Sequence, residues 1–177
     1  MLSNPPYGVD WKKYEGEIDT KAKKGDKGRY GAGLPRTTDG SLLFLMHMIS
    51  KMKKTESGTR LAIVFNGSPL FTGEAGQRNE NGIRKSIIEN DWLEAIVGLP
   101  KDLFFNTGIQ TYIWSLSNRK PEHRKDRIQL LNAESFYDKM KKNVGEKRNE
   151  ITIQQIEEQQ FESNTKYKIT SSTLVMA

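Results

Sequence analysis

The residues with the most distinctive chemistry stand at positions 4–7, Asn4-Pro5-Pro6-Tyr7. Each proline fixes φ at about −65° and removes a backbone N–H, and a residue before proline is pushed to extended geometry. The stretch is therefore a stiff turn at the end of a strand. It offers carbonyls without competing donors, an amide side chain and an aromatic ring. That set suits attack by an amino group attached to a planar π system, whose lone pair is delocalised and weakly nucleophilic. The Asn4 side-chain oxygen and the Pro5 carbonyl could accept both N–H protons and draw the nitrogen toward tetrahedral geometry. Its lone pair would then face an electrophilic methyl group, while Tyr7 stacks on the ring, a contact contributing about 1–3 kcal/mol per base. The alternative is an Asn-Pro turn with no chemistry.

Such a turn needs a sheet to hold it. Leu42, Leu45, Met46, Ile49 and Met52 recur at helical spacing, which predicts a helix over 41–53. RLAIVF (60–65) is a continuous apolar run closed by Asn66-Gly67 and reads as a strand buried on both faces. IRKSIIEN returns to helical spacing. LEAIVGLP (93–100), QTYIWSLSN (110–118) and RIQLLNA (127–133) read as strands. The alternation of strand and helix predicts an α/β sheet with helical crossovers. No helix separates 93–98 from 110–117, so an antiparallel hairpin at one edge is expected. Short helices are expected over 135–142 and around ITIQQIEEQQ, and residues 9–40 read as a long, mobile loop. In an open α/β sheet ligands bind beyond the carboxyl ends of the strands, which is where Asn4 would sit.

Composition narrows the class. The chain has 177 residues, 28% of them charged and none a cysteine, with a formal charge of +6. It is long enough for one domain with a real core. Disulfides and thiolate metal sites are excluded, and with two lone histidines no metal site is expected. No apolar run approaches the roughly 20 residues of a membrane span, so no membrane partner and a cytoplasmic location are expected. The positive excess favours polyanions. Basic residues gather at Lys21, Lys23, Lys24, Lys27 and Arg29, again over 119–127, and again over 139–148. Solvated surface is the competing reading of each cluster.

Asn-Pro-Pro-Tyr resembles the fourth motif of the S-adenosylmethionine-dependent amino-methyltransferases. GRYGAGLPRTTDGSLLFLMHMISKMK, RLAIVFNGSPLFTGEAG, IRKSIIENDWLEAIVGLPKDLFFNTGIQTYIWSLSNRK and MKKNVGEKRNEIT are collinear with the modification subunit of type I restriction–modification systems. The resemblance implies an α/β, Rossmann-like methyltransferase fold with the last strand inserted antiparallel. It implies transfer of a methyl group from S-adenosyl-L-methionine to N6 of an adenine extruded from double-stranded DNA, with Asn4, Pro5, Pro6 and Tyr7 as catalytic residues. The implied partners are a specificity subunit and a restriction subunit.

The family's glycine-rich cofactor turn precedes this motif and is missing here. Gly28-Arg29-Tyr30-Gly31-Ala32-Gly33 does not replace it, since no strand leads into it. Residues 1–160 are therefore expected to be the C-terminal half of a catalytic domain, inactive alone, with 161–177 a tail of unknown role. In the resembling family Asn66 and Gly67 border the target-base pocket; a plain turn is the alternative. Phe105, Asn106 and Gly108, with Phe104, would supply another wall of that pocket, or the phenylalanines would pack in the core. Lys21, Lys23, Lys24, Lys27 and Arg29 are expected to meet DNA phosphates. Trp92 and Trp114 are assigned to the core or an interface, and His47 to a structural role. Two other functions remain open: a protein glutamine N5-methyltransferase, and a noncatalytic module for DNA docking or subunit assembly.

Overall fold

The structure, a computed structural model, describes residues 1–73 and 79–157. The expected tail at 161–177 lies outside them. Five strands, β1 (Leu2–Ser3), β2 (Arg60–Asn66), β3 (Leu93–Gly98), β4 (Thr111–Ser117) and β5 (Gln129–Asn132), form one sheet in the order β1-β2-β4-β3-β5. β1 pairs parallel with β2 and β3 parallel with β5, whereas β4 is antiparallel to both β2 and β3. The antiparallel pair is therefore present but does not lie at an edge. β3 leaves a gap of one strand beside β2, and β4 returns into it, where its backbone groups are satisfied on both sides. One parallel strand, β5, then extends the sheet beyond β3.

Helices α2 (Ser41–Ile49) and α4 (Glu80–Glu89) cover one face, and the single turn α3 (Ser68–Phe71) follows β2. Leu42, Leu45 and Met46 of α2 and Ile83 and Ile87 of α4 join Leu61, Ile63, Phe65, Trp114 and Leu116 in a single core. Trp114 meets Phe65 edge to face at 5.4 Å between centroids, a favourable aromatic geometry. Trp92 packs against the same core from its margin. Leu61, Ile63 and Phe65 are fully buried while Ala62 and Val64 are half-buried. β2 is thus covered mainly on one face, not on both. Its apolar run looked two-sided because small and β-branched residues occupy the thinner face.

Two expected elements differ. The segment 9–40 is no structureless loop: it contains α1 (Glu15–Ala22) and short 3₁₀ turns. Trp11, Tyr30 and Leu34 anchor it in the core, so it is packed rather than mobile. These apolar residues lack periodicity because they are separate anchors, not one helix face. The stretch 135–142 is not helical either. Strands β6 (Asp138–Val144) and β7 (Lys147–Glu150) form a hairpin turning at Gly145, whose φ of +61° favours glycine. Backbone bonds from Glu146 to Phe105, and from Arg148 and Asn149 to Asp102, dock the hairpin on the 99–110 connection. Those tertiary contacts outweigh a local helical preference. Residues 153–157 are helical, as expected. Among the described residues, no helix is long and apolar enough to cross a membrane.

Candidate active site at the carboxyl edge of the sheet

Parallel pairing of β1 with β2 aligns Leu2 with Ala62 and Ser3 with Ile63. The chain then leaves the sheet at Asn4, just as β2 runs on to Asn66. Because β4 is antiparallel, it enters at this same edge, with Thr111 opposite Asn66. The edge therefore collects Asn4–Tyr7, Asn66–Pro69 and the 99–110 connection. β1 and β3 are three strand spacings apart, about 14 Å.

Within the turn Pro5 is buried, Tyr7 half-buried, and Asn4 and Pro6 exposed. Gly8 reverses the chain at φ +62°, a left-handed conformation that disfavours a side chain. The Tyr7 hydroxyl donates to Asn4 Oδ1 at 3.2 Å. Burial raises the Tyr7 pKa above the usual phenol value, so the hydroxyl stays a proton donor. The bond fixes which end of the Asn4 amide faces it, and Oδ1 keeps a second lone pair for another N–H.

The turn is held from behind. Gly40 N–H donates to Val9 O and Trp11 N–H to Thr37 O, both at 2.9 Å. The buried Trp11 indole donates to Arg36 O at 2.9 Å. Arg36 then spans to the neighbouring turn, donating from Nη2 to Ser68 Oγ at 2.5 Å, while its backbone N–H reaches Glu80 Oε1. Asn66 Oδ1 accepts from Ser68 N–H at 3.0 Å and closes that turn. Sequence reasoning missed Trp11 and Arg36, and it placed Ser68 in the turn after β2 without giving it a partner. Arg36 lies within GRYGAGLPRTTDG, one of the resembling segments, and Trp11 lies in none of them.

Of the expected pocket wall, Phe105 is 65% exposed, Asn106 exposed and Gly108 half-buried. Phe104 is only half-buried, so neither phenylalanine is a core residue. A Cβ at Gly108 would stand 2.6 Å from Asp102 Oδ1, so the Asp102 side chain packs directly over this glycine. These residues share the carboxyl edge with Asn4. A cavity of about 410 Å³ opens beneath α4, between Ile87, Ile96, Tyr112, Trp114 and Leu130. No motif announced it.

The basic cluster lies elsewhere. Gly28 packs on Lys21 O and Gly31 on Gly25, at 2.2 and 2.0 Å from where a Cβ would stand. This close packing folds 21–31 into one unit and leaves no cradle among these glycines for a phosphate. Lys27 and Arg29 line a groove with residues of the 51–55 segment between α2 and β2, Trp92 just before β3, and Asn118 and Arg119 just after β4, at the amino edge of the sheet. His47 is exposed rather than structural: α2 turns it away from the core. Its pKa is lowered by partial desolvation and by Arg29, Lys51 and Lys21. Among the described residues no cluster of His, Asp and Glu is arranged to hold a metal.

Comparison with known proteins agrees with this architecture. The family described as N-6 DNA Methylase matches residues 1–172, past the point at which the quoted segments end. The type I restriction enzyme MjaIX methylase subunit of Methanocaldococcus jannaschii is 26% identical over 161 residues, which is 88% of this chain and 26% of that protein. The HindI methylase subunit of Haemophilus influenzae is 33% identical over 108 residues, 61% of this chain and 23% of that protein. The crystal structure of a type I restriction–modification methyltransferase subunit from Streptococcus thermophilus superposes with a TM-score of 0.72 at 28% identity, covering 95% of this chain and 32% of that one. The chain spans about a quarter of the length of the curated relatives it matches. With the sheet order and this coverage, the chain has a Rossmann-like methyltransferase fold and belongs to the N-6 DNA methylase family, among the methylase subunits of type I restriction–modification systems.

Proposed function

We propose that this chain is the acceptor half of an adenine-N6 DNA methyltransferase site, acting within a longer modification subunit. The observation that carries the reading is the Asn4–Tyr7 pair at the carboxyl edge, with Asn4 exposed and its amide oriented by the Tyr7 hydroxyl. An adenine extruded from duplex DNA, at a cost of a few kcal/mol, would present its amino group to two acceptors, Asn4 Oδ1 and the Pro5 carbonyl. Both are neutral and neither neighbouring proline carries a competing N–H, so the amine is positioned without being protonated. Tyr7 offers its ring for stacking, and Phe105 and Asn106 stand across the edge as the far wall.

S-adenosyl-L-methionine is the methyl donor that the family implies, and it would supply a methyl group made electrophilic by a sulfonium. The residues described here fit the amine rather than that cofactor. The Asn4–Tyr7 turn offers acceptors where a methionine carboxylate needs donors, and Gly28 and Gly31 close on backbone instead of on a nucleotide. The cofactor's own contacts are assigned to the part of the family's length that this chain does not span. On this reading residues 1–160 contribute the acceptor side of one catalytic domain, and a specificity subunit and a restriction subunit complete the assembly. The chain alone is then inactive.

The test is methyl transfer from labelled S-adenosylmethionine to duplex DNA, by the full-length subunit with its specificity partner and by the 177-residue chain alone. Label on adenine N6 with the former and none with the latter is expected. Label on another atom or on protein glutamine, or full activity from the chain alone, overturns the assignment.

A further inference from the structure

The groove at the amino edge has a composition that the methylation chemistry does not use. It is lined by Lys27, Arg29, Lys51, Lys54 and Arg119 and, among the described residues, by no Asp or Glu, around a volume of about 990 Å³. The cations arrive from separate parts of the fold: the 25–32 turns, the segment after α2, and the end of β4. None of them is in an ion pair among the described residues. Elsewhere acidic side chains do pair: Arg60 with Glu94, Lys120 with Asp91, Lys125 with Glu122. His47 independently senses the concentration of charge, since Arg29, Lys51 and Lys21 act together with partial desolvation to lower its pKa. Like charges brought together without counterions repel, and an anionic ligand relieves that cost.

The lining points to the class of ligand. Between the cations the half-buried Ile49, Met52 and Trp92 form an apolar strip over the core residues Met46, Ile83 and Ile87, flanked by Ser50, Thr55, Ser86, Asn90 and Asn118. A nucleic-acid backbone would neutralise the rim but leave that strip uncovered. The groove also lies toward the opposite end of the strands from Asn4, about 13 Å away along β2, since Asn4 is level with Val64 and β2 begins at Arg60. Its lining residues are distinct from those of the turn proposed to receive the base.

We propose that this groove docks an acidic segment of another polypeptide, with carboxylates meeting Lys27, Lys51, Lys54 and Arg119 and an apolar or aromatic side chain entering between Met52 and Trp92. This assignment does not depend on the catalytic reading, because no groove residue touches the Asn4–Tyr7 turn. Lys27, Lys51, Lys54 and Arg119 are exposed, so neutral substitutions leave the core intact.

The test uses fluorescence anisotropy with the 177-residue chain and three probes: a labelled peptide of glutamates interrupted by one leucine and one phenylalanine, its all-glutamate counterpart, and a labelled random-sequence 12-base-pair duplex. The apolar-containing peptide is expected to bind tightest. K51Q/K54Q/R119Q is expected to weaken it about tenfold or more, while K12Q/K13Q, outside the groove, leaves it unchanged. Circular dichroism confirms that both variants keep their fold. Duplex binding tighter than the peptide and lost in the triple variant would show a nucleic-acid site and overturn the proposal. Equal loss in both variants, or no preference for the apolar-containing peptide, overturns it as well.

Discussion

The two ends of the sheet are built from different forces. At the carboxyl edge the Asn4–Tyr7 and Asn66–Pro69 turns are held largely by neutral hydrogen bonds, with Arg36, which meets Ser68 and the carboxylates of Asp39 and Glu80, as a charged link. At the amino edge charge dominates: a groove of cations, and two ion pairs, Arg60 of β2 with Glu94 of β3 and Lys120 after β4 with Asp91 before β3. On the proposed functions, the difference follows from what each end would hold. A neutral aromatic amine is not attracted by charge and loses nucleophilicity if protonated, so only directional acceptors can orient it. An anion is bound by charge over a distance, and geometry matters less. A neutral edge positions, whereas a charged edge captures.

The sharpest way to break this comparison is to remove one acceptor. Asn4→Ala in the full-length enzyme is expected to lower turnover about 10³-fold, the range seen when a group aimed at the transition state is deleted. DNA affinity should change by less than about twofold and thermal stability by less than about 0.5 kcal/mol, because Asn4 is exposed. Single-turnover methylation and a melting curve measure both. If K51Q/K54Q lost turnover as severely while Asn4→Ala retained it, the division of labour between the edges would be refuted.

Lys120→Met attacks the other end. The Lys120 side chain is 2% exposed, pairs with Asp91 and donates to Arg127 O at 3.0 Å. Asp91 also accepts from Asp126 N–H, so the ion pair ties the 118–127 segment to the start of β3. Removing one member of a buried pair costs roughly 3–5 kcal/mol, discounted here to about 2–3 because Asp91 is partly exposed. Chemical denaturation should show that loss. Lys120→Met/Asp91→Leu, which removes both charges, should recover most of it.

How much of this was legible in the sequence depended on the range of the force involved. The core helices and strands were visible because Leu42, Leu45 and Met46, or Leu61 and Ile63, repeat at periods that local geometry sets. Asn4 and Tyr7 were visible because two prolines restrict the backbone whatever surrounds it. The hairpin at 138–150 was not, since its strands carry no apolar alternation and are placed by backbone bonds to Asp102 and Phe105. The interior position of β4 was hidden for a similar reason: sequence shows that two strands lack a helix between them, not which gap the second one fills. Lys27 and Arg29 were seen as a cluster but not located. Their neighbours Lys51, Lys54 and Arg119 come from distant positions, and only the fold gathers them at the edge away from Asn4.

Tyr7 offers a finer probe of the neutral edge. From sequence its ring alone appeared to matter, so Tyr7→Phe would be mild and Tyr7→Ala severe. The bond to Asn4 Oδ1 adds a cost for losing the hydroxyl. At about 0.5–1.5 kcal/mol for one hydrogen bond, Tyr7→Phe should reduce turnover roughly 2- to 12-fold with little change in DNA affinity. Tyr7→Ala should also weaken capture of the extruded base, read from fluorescence of 2-aminopurine at the target position. Equal kinetics for Tyr7 and Phe would mean that the hydroxyl does not orient Asn4.

The smallest effect expected is the titration of His47, and it reports on the charged edge alone. Its pKa is lowered by partial desolvation first, then by Arg29, Lys51 and Lys21. The folded chain therefore binds this proton less tightly than the unfolded chain, whose histidine titrates near 6.5. The associated stability is present above that value and is lost as pH falls through it toward the folded pKa. The side chain is exposed, so the loss is small and is best followed as a chemical shift rather than as a melting point. In a two-dimensional NMR titration the His47 ring should give a midpoint below 6.5. Lys51→Gln should raise it toward that value, and so should added salt, which screens exposed charges. The acidic peptide should raise it too, by cancelling the field of Arg29 and Lys51, whereas Asn4→Ala should leave it where it is. A midpoint indifferent to both Lys51→Gln and the peptide would mean that desolvation alone sets it, and that the cations at this edge do not act in concert.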